Sequence, residues 1–244
     1  MTEIITGSPN LSRRSSTEDF FKDNADVGPD QRPTVLHQTT IVPFDGLERG
    51  CKLAIDASPG CGGVVWPAGE QPDLLAGKNV LELGAGTGIL ALVLGLKEPR
   101  ANIYATDQEP LMPLLRENVA LNGLESTVQA SVLDWGESVL PKSIPKPDYV
   151  LMADCVYFEP SFPLLVRTLI LLTDDQESQP IIYLAYKKRR KADKRFFTLL
   201  HKSFSSETIE DDPLKSTYDR QGLHLMVLSR KKQAIQGQGR KELE

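Results

Sequence analysis

Val80-Leu81-Glu82-Leu83-Gly84-Ala85-Gly86-Thr87-Gly88 is a short apolar run closed by three glycines alternating with small residues. The run reads as a strand and the glycines as a turn. Residues 89–96 (ILALVLGL) follow and predict the start of a buried helix. A strand, a glycine turn and a helix in that order form a nucleotide-binding βα unit. Glycines there let the backbone pass close to a ligand where a Cβ would collide.

Downstream, strands and helices alternate regularly. Residues 102–106 predict a strand with Asp107 at its end. Residues 109–122 predict a helix, with Leu111, Leu114, Leu115 and Val119 at helical spacing and Asn122-Gly123 as its stop signal. Residues 127–133 predict a third strand, ending in Asp134-Trp135, and residues 149–153 a fourth, after a proline-rich link. Helices over 162–172 and 192–201 alternate with strands over 181–185 and 223–229. The pattern is that of an α/β domain, helices packed on a largely parallel sheet. Upstream, residues 35–42 and 51–56 read as an N-terminal β-hairpin joined through Pro43-Phe44-Asp45-Gly46. Trp66, before Pro67 and beside the glycine-rich loop 59–63, suits either core packing or an aromatic wall for a ligand.

The chain has 244 residues, 40% hydrophobic and 25% charged, which suits one core-forming domain with tails. The expected division is a disordered leader over 1–33, the domain over 34–230 and a polar tail over 231–244. A net charge of -5 argues against a broad basic field for nucleic acid. No signal peptide or membrane span is evident. Three cysteines without a CxxC pair point to a reducing, cytoplasmic setting and to no structural metal. The run Lys187-Lys188-Arg189-Arg190-Lys191 is the one strongly basic patch, read as a solvated loop that helps dock a protein partner, with RNA contact as the minor alternative.

The glycines narrow the cofactor. Ile89 stands where a dinucleotide fingerprint has its third glycine, and no lysine follows to make a P-loop. Asp107 lies 23 residues after Gly84, at a strand tip where a carboxylate accepts both hydroxyls of a ribose. Asp134 and Trp135 offer a carboxylate and a flat ring suited to adenine. S-adenosyl-L-methionine fits a ligand with an adenosine half and no phosphate clamp better than NAD or ATP does.

VLELGAGTG, Asp107, Asp134-Trp135 and Asp154-Cys155-Val156-Tyr157 together resemble the seven-strand methyltransferases. More narrowly they resemble the family-16 protein-lysine methyltransferases, whose hallmark is D-x-x-Y after the fourth strand. Gly63-Val64-Val65-Trp66-Pro67-Ala68 and Tyr186-Lys187-Lys188-Arg189 extend the likeness over about residues 35–230. Within the family the chain resembles the fungal elongation factor methyltransferase group. The resemblance implies a seven-strand Rossmann-like sheet with helices on both faces and a monomeric enzyme. It implies a protein substrate, translation elongation factor 1-alpha. It places Gly84, Ala85 and Gly86 under the methionine part of the cofactor and Asp107 on the ribose. It puts Asp134 and Trp135 at the adenine, Ala153 near the sulfonium and Trp66 as a wall of the pocket. Asp154 and Tyr157 would face the acceptor amine, the first orienting it and the second presenting its ring or hydroxyl. Their alternative roles are a turn cap and plain packing. Glu82 is read as a partner for the loop amides behind the glycines. Cys155 and Val156 replace the prolines of enzymes that methylate planar amines, which favours an sp3 amine such as lysine. A small-molecule or RNA methyltransferase and a non-catalytic cofactor-binding module are the competing readings.

Overall fold

A computed structural model describes residues 38–55, 75–175, 178–188, 191, 193–212 and 214–232. The predicted leader and nearly all of the predicted tail lie outside these residues, as does the segment containing Trp66.

The hairpin is present as β1 (Gln38–Val42) and β2 (Cys51–Ile55), antiparallel with Ile41 opposite Lys52. The sheet is built from β3 (Asn79–Leu83), β4 (Asn102–Asp107), β5 (Val128–Val132), β6 (Tyr149–Ala153), β7 (Ile181–Lys187), β8 (Phe204–Thr208) and β9 (Leu223–Arg230). Its order is β5-β4-β3-β6-β7-β9-β8, with β9 antiparallel to both neighbours and the other pairs parallel. The chain winds outward from β3 through β4 to β5, then returns to the far side of β3 as β6. The crevice at the carboxyl ends of β3 and β6 is therefore the switch point of the fold, where open α/β sheets bind ligands.

Central strands read as continuous apolar runs because both of their faces are covered. Val80, Ile103 and Val128 point to one layer, against α1 (Ile89–Lys97), α2 (Met112–Leu121) and the hairpin. Leu81, Leu83, Val150, Met152 and Leu184 point to the other, against α3 (Phe162–Leu172) and α4 (Asp193–Leu200). Helices thus cover both faces. A short α5 (Lys215–Arg220) precedes β9.

Two expectations are corrected. The helix foreseen over 109–122 begins as a 3-10 turn, Glu109–Leu111, and becomes α-helical only at Met112. Pro113 lacks the amide hydrogen that a continuous α-helix from Glu109 would donate to the Glu109 carbonyl. The seventh strand, β8, has no counterpart among the strands read individually from the sequence.

Candidate active site

The glycine turn is locked to the strands beside it. The Ala85 N–H donates to the Thr106 carbonyl on β4 at 2.9 Å, and the Gly88 N–H to the Ala85 carbonyl at 2.8 Å. Gly84, Gly86 and Gly88 have φ of 66°, 56° and 79°, the left-handed region in which glycine is unstrained. Their surroundings differ. A Cβ on Gly84 would stand 2.9 Å from Trp135 Cζ2 and 3.3 Å from Cys155 Sγ. One on Gly88 would stand 2.4 Å from Leu115 Cδ1 of α2. One on Gly86 would meet no described atom within 4 Å. Packing demands glycine at the first and last positions, whereas at Gly86 the backbone faces open space.

Asp107 ends β4, half-buried, and both of its oxygens accept backbone amides. Gly86 N–H donates to Oδ2 at 2.8 Å and Gln108 N–H to Oδ1 at 2.7 Å. A carboxylate has about four lone-pair sites, so two remain for a ligand's hydroxyls. Glu82 shares the face of Val80 and points beneath α1. Its Oε2 accepts the Ala91 N–H at 3.1 Å, so its partner is the first turn of that helix and not the loop amides expected from the sequence. Burial pushes its carboxyl up to about 8, and the nearby Asp107 charge adds to this against the Ala91 hydrogen bond.

At the end of β6 the backbone turns abruptly. Asp154 has φ of 60°, the only positive value at a non-glycine among the described residues. Its N–H donates to the Ala185 carbonyl of β7 at 3.2 Å. The Cys155 thiol is buried and donates to the Leu83 carbonyl at 3.1 Å. Burial, with the charges of Glu82, Asp107 and Asp154, holds it far above an ordinary thiol, which makes it a packing group and not a nucleophile. Val156 is buried too, and Tyr157 then emerges 55% exposed. Partial burial, with Asp107 and Asp154 close by, raises its phenol above the usual value.

The carboxyl edge thus gathers Gly84, Ala85, Gly86, Asp107, Asp134, Trp135, Ala153, Asp154 and Tyr157. Asp134 is exposed, Trp135 lies against Gly84, and Ala153 closes β6 opposite Ala185. Trp66 lies outside the described residues. One residue that the sequence reading passed over is Asn118, buried on α2. Its Nδ2 donates to the Thr87 carbonyl of the glycine turn at 2.9 Å, while Oδ1 accepts the Ala54 N–H of β2 at 2.6 Å. Two asparagines one helical turn apart, Asn118 and Asn122, were the available signal.

A profile of the lysine methyltransferase family matches residues 48–203, a span that runs from the hairpin past α4. The chain belongs to the lysine methyltransferase family. It is 39% identical over 233 residues to protein-lysine N-methyltransferase EFM6 of Saccharomyces cerevisiae, covering 82% of this chain and 94% of the yeast protein. Protein N-lysine methyltransferase METTL21A of Danio rerio is 38% identical over 141 residues, 57% of this chain and 62% of the fish protein. EEF1A lysine methyltransferase 3 of Xenopus tropicalis is 31% identical over 180 residues, 68% of this chain and 77% of the frog protein. As a lysine methyltransferase, the chain uses S-adenosyl-L-methionine and methylates a protein. The crevice fits that cofactor, since Gly86 leaves its backbone open and Asp107 offers free lone pairs beside it. No helix among the described residues is long and apolar enough to cross a membrane.

Proposed function

We propose that this lysine methyltransferase acts on a lysine of translation elongation factor 1-alpha, as a monomer in the cytoplasm. The substrate reading rests on the likeness to EEF1A lysine methyltransferase 3 and on the resemblance to the fungal elongation factor group. The buried free thiols Cys51 and Cys155 support a reducing compartment.

Gly84, Ala85 and Gly86 carry the methionine part of the cofactor on their backbone. Asp107 takes the ribose hydroxyls, Asp134 and Trp135 frame the adenine, and Ala153 faces the reacting end. The cofactor, when bound, supplies a methyl group on a cationic sulfonium. Everything else falls to the chain. A free lysine has a pKa of about 10.4 and must lose its proton before it attacks. Desolvation in the crevice and a neighbouring cation both favour the neutral amine. The Asp154 carboxylate then accepts a hydrogen bond from that amine and aims its lone pair, while the Tyr157 ring and hydroxyl form the outer side of the acceptor site. Holding nitrogen and carbon in line supplies most of the acceleration, about 7–11 kcal/mol in favourable cases.

The observation that carries this reading is the backbone at Asp154. A non-glycine residue held at positive φ costs about 1–3 kcal/mol and persists where its surroundings over-determine it. Here it stands at the switch point, fixed by the Ala185 carbonyl. Asparagine tolerates the same φ, so Asp154→Asn tests the carboxylate without the backbone. The variant is expected to bind S-adenosylhomocysteine normally and to lose about 100-fold or more in kcat. Mass spectrometry of elongation factor 1-alpha from cells with and without the enzyme tests the substrate. An unchanged methylation pattern would remove that assignment.

A further inference from the structure

Strand order divides the carboxyl edge between two tasks. The glycine turn, Asp107 and Asp134-Trp135 stand at the ends of β3, β4 and β5, on one side of the switch point. The other side, from the end of β6 across β7 to β9, is left over by the cofactor. Its chemistry sets it apart. Tyr157 and Phe158 emerge together directly after the buried Cys155-Val156 pair, 55% and 56% exposed. Beside them β7 runs to Lys187, two residues past the last register pair, Ala153–Ala185, on a strand about 4.8 Å away. Lys188, Lys191 and Lys194 continue this side and are exposed. Among the described residues Lys187, Lys188, Lys191 and Lys194 make no ion pair, in a protein of net charge -5.

The cations are held, not trailing. The Lys188 N–H donates to the Gly222 carbonyl at 3.1 Å. The Tyr186 hydroxyl donates to the buried Asp193 carboxylate at 3.1 Å, tying the end of β7 to the start of α4. Arg195 on α4 pairs with Glu159, next to Phe158, and Phe196 meets Phe162 edge-on with centroids 5.5 Å apart. The aromatic pair and the cationic shoulder therefore ride on one braced unit.

We infer that Tyr157-Phe158 and the shoulder Lys187, Lys188, Lys191 and Lys194 dock the protein substrate through a segment in which acidic residues flank the target lysine. The inference rests on the reading that the acceptor amine enters at Asp154. A target lysine among further cations is repelled by four ammonium groups that make no ion pair among the described residues, whereas carboxylates on either side of it are drawn in. The apolar rings cover the stem of the lysine and its apolar neighbours. A nucleic acid also carries negative charge, but the field it needs is broken on this edge. Asp211, Asp212 and Asp219 stand in the β8–β9 connection, and Gly222 of that connection holds Lys188. Protein carboxylates, few and local, suit the shoulder better than a continuous phosphate backbone.

The test compares two peptides of equal length, one with the lysine between glutamates and one with it between glutamines. Binding is read by fluorescence anisotropy in the presence of S-adenosylhomocysteine. The acid-flanked peptide is expected to bind the full-length enzyme about tenfold more tightly, an advantage that salt removes. Lys188→Glu/Lys191→Glu, two surface changes, is expected to abolish that preference and leave S-adenosylhomocysteine affinity unchanged. Phe158→Ala is expected to weaken both peptides alike. Equal binding of the two peptides, including none by either, overturns the proposal. So does a preference that survives charge reversal, or a single-stranded RNA that displaces the acid-flanked peptide and binds more tightly. The substrate assignment fails separately: peptides that bind as expected, with elongation factor 1-alpha left unmethylated, would sink that assignment and leave the docking surface standing.

Discussion

Asp107 accepts the Gly86 amide at 2.8 Å, so the carboxylate assigned to the ribose also holds the glycine turn in shape. Removing it strips the ligand of two charge-assisted hydrogen bonds, each contributing about 1.5–3 kcal/mol, and frees the turn. Asp107→Ala is therefore expected to weaken S-adenosylhomocysteine binding by more than about 100-fold, measured by titration calorimetry. Asp107→Asn keeps one acceptor and should lose less. An alanine variant binding within a few-fold of the wild type would show that the ribose lies elsewhere.

Glu82 gives the fold a pH dependence of known sign. Its carboxyl is raised from an ordinary 4.5 to about 8 by burial first and by Asp107 second, with the Ala91 N–H opposing, and Cys155 is its other titratable neighbour. Below pH 4.5 both folded and unfolded forms carry the proton, and Glu82 costs nothing. As the pH rises above that value the unfolded chain releases its proton while the folded chain keeps it. Stability therefore falls progressively until about pH 8 and then levels. Glu82→Gln retains an acceptor for Ala91 and removes the titration. The difference in unfolding free energy between variant and wild type, from urea melts, should grow in the variant's favour across this window. A flat difference would mean that Glu82 is ionised in the folded protein.

How much of this was readable beforehand depended on whether neighbours in the sequence set the structure. Central strands were legible because burial on both faces makes them apolar throughout, as in residues 149–153. β8 was not: FSSET is an edge strand with one buried anchor, Phe204, and polar residues elsewhere. The site was legible through residue types at strand ends, Asp107 and Asp154 above all. Its geometry was not, because Asp is a residue type that both ordinary and left-handed backbones accept. The role of Asn118 was hard to read for another reason: beyond its spacing from Asn122 nothing local marks it, because the strand it serves lies 64 residues away in sequence.

Two glycines of the turn, Gly86 and Gly88, should separate by experiment. At Gly88 an alanine meets Leu115 and a φ of 79°, so Gly88→Ala is expected to cost about 2–4 kcal/mol in stability. At Gly86 the space is open, and only the φ of 56° opposes a side chain, at about 1 kcal/mol. The Gly86→Ala methyl group instead projects toward the ligand. Urea melts paired with S-adenosylhomocysteine titration should find Gly88→Ala unstable and Gly86→Ala stable but at least about tenfold weaker in affinity. The reverse pattern would place the cofactor against the wrong part of the turn.

Asn118 and Asn122 act as a substitute strand on the edge of β2 away from β1. Asn122 accepts the Lys52 N–H at 2.9 Å and donates to the Lys52 carbonyl at 2.7 Å; Asn118 does the same for Ala54 at 2.6 Å and 3.1 Å. The two differ in burial. Ala54 and Asn118 are fully buried, so Asn118→Ala leaves the Ala54 amide and carbonyl without partners or water, and the half-buried Thr87 carbonyl loses its bond as well. Each stranded buried group costs about 1–3 kcal/mol, and partial relaxation brings the expected loss to about 2–4 kcal/mol. The Lys52 groups are exposed, so water replaces Asn122, and Asn122→Ala should cost about 1 kcal/mol or less. Only Asn118 also reaches the glycine turn. Its loss should therefore weaken S-adenosylhomocysteine binding under conditions where the variant is still folded, whereas Asn122→Ala should leave affinity unchanged. Urea unfolding and calorimetric titration of the two variants check both halves. Equal stability losses, or an Asn118→Ala variant of normal affinity, would sever the proposed link between the hairpin and the cofactor turn.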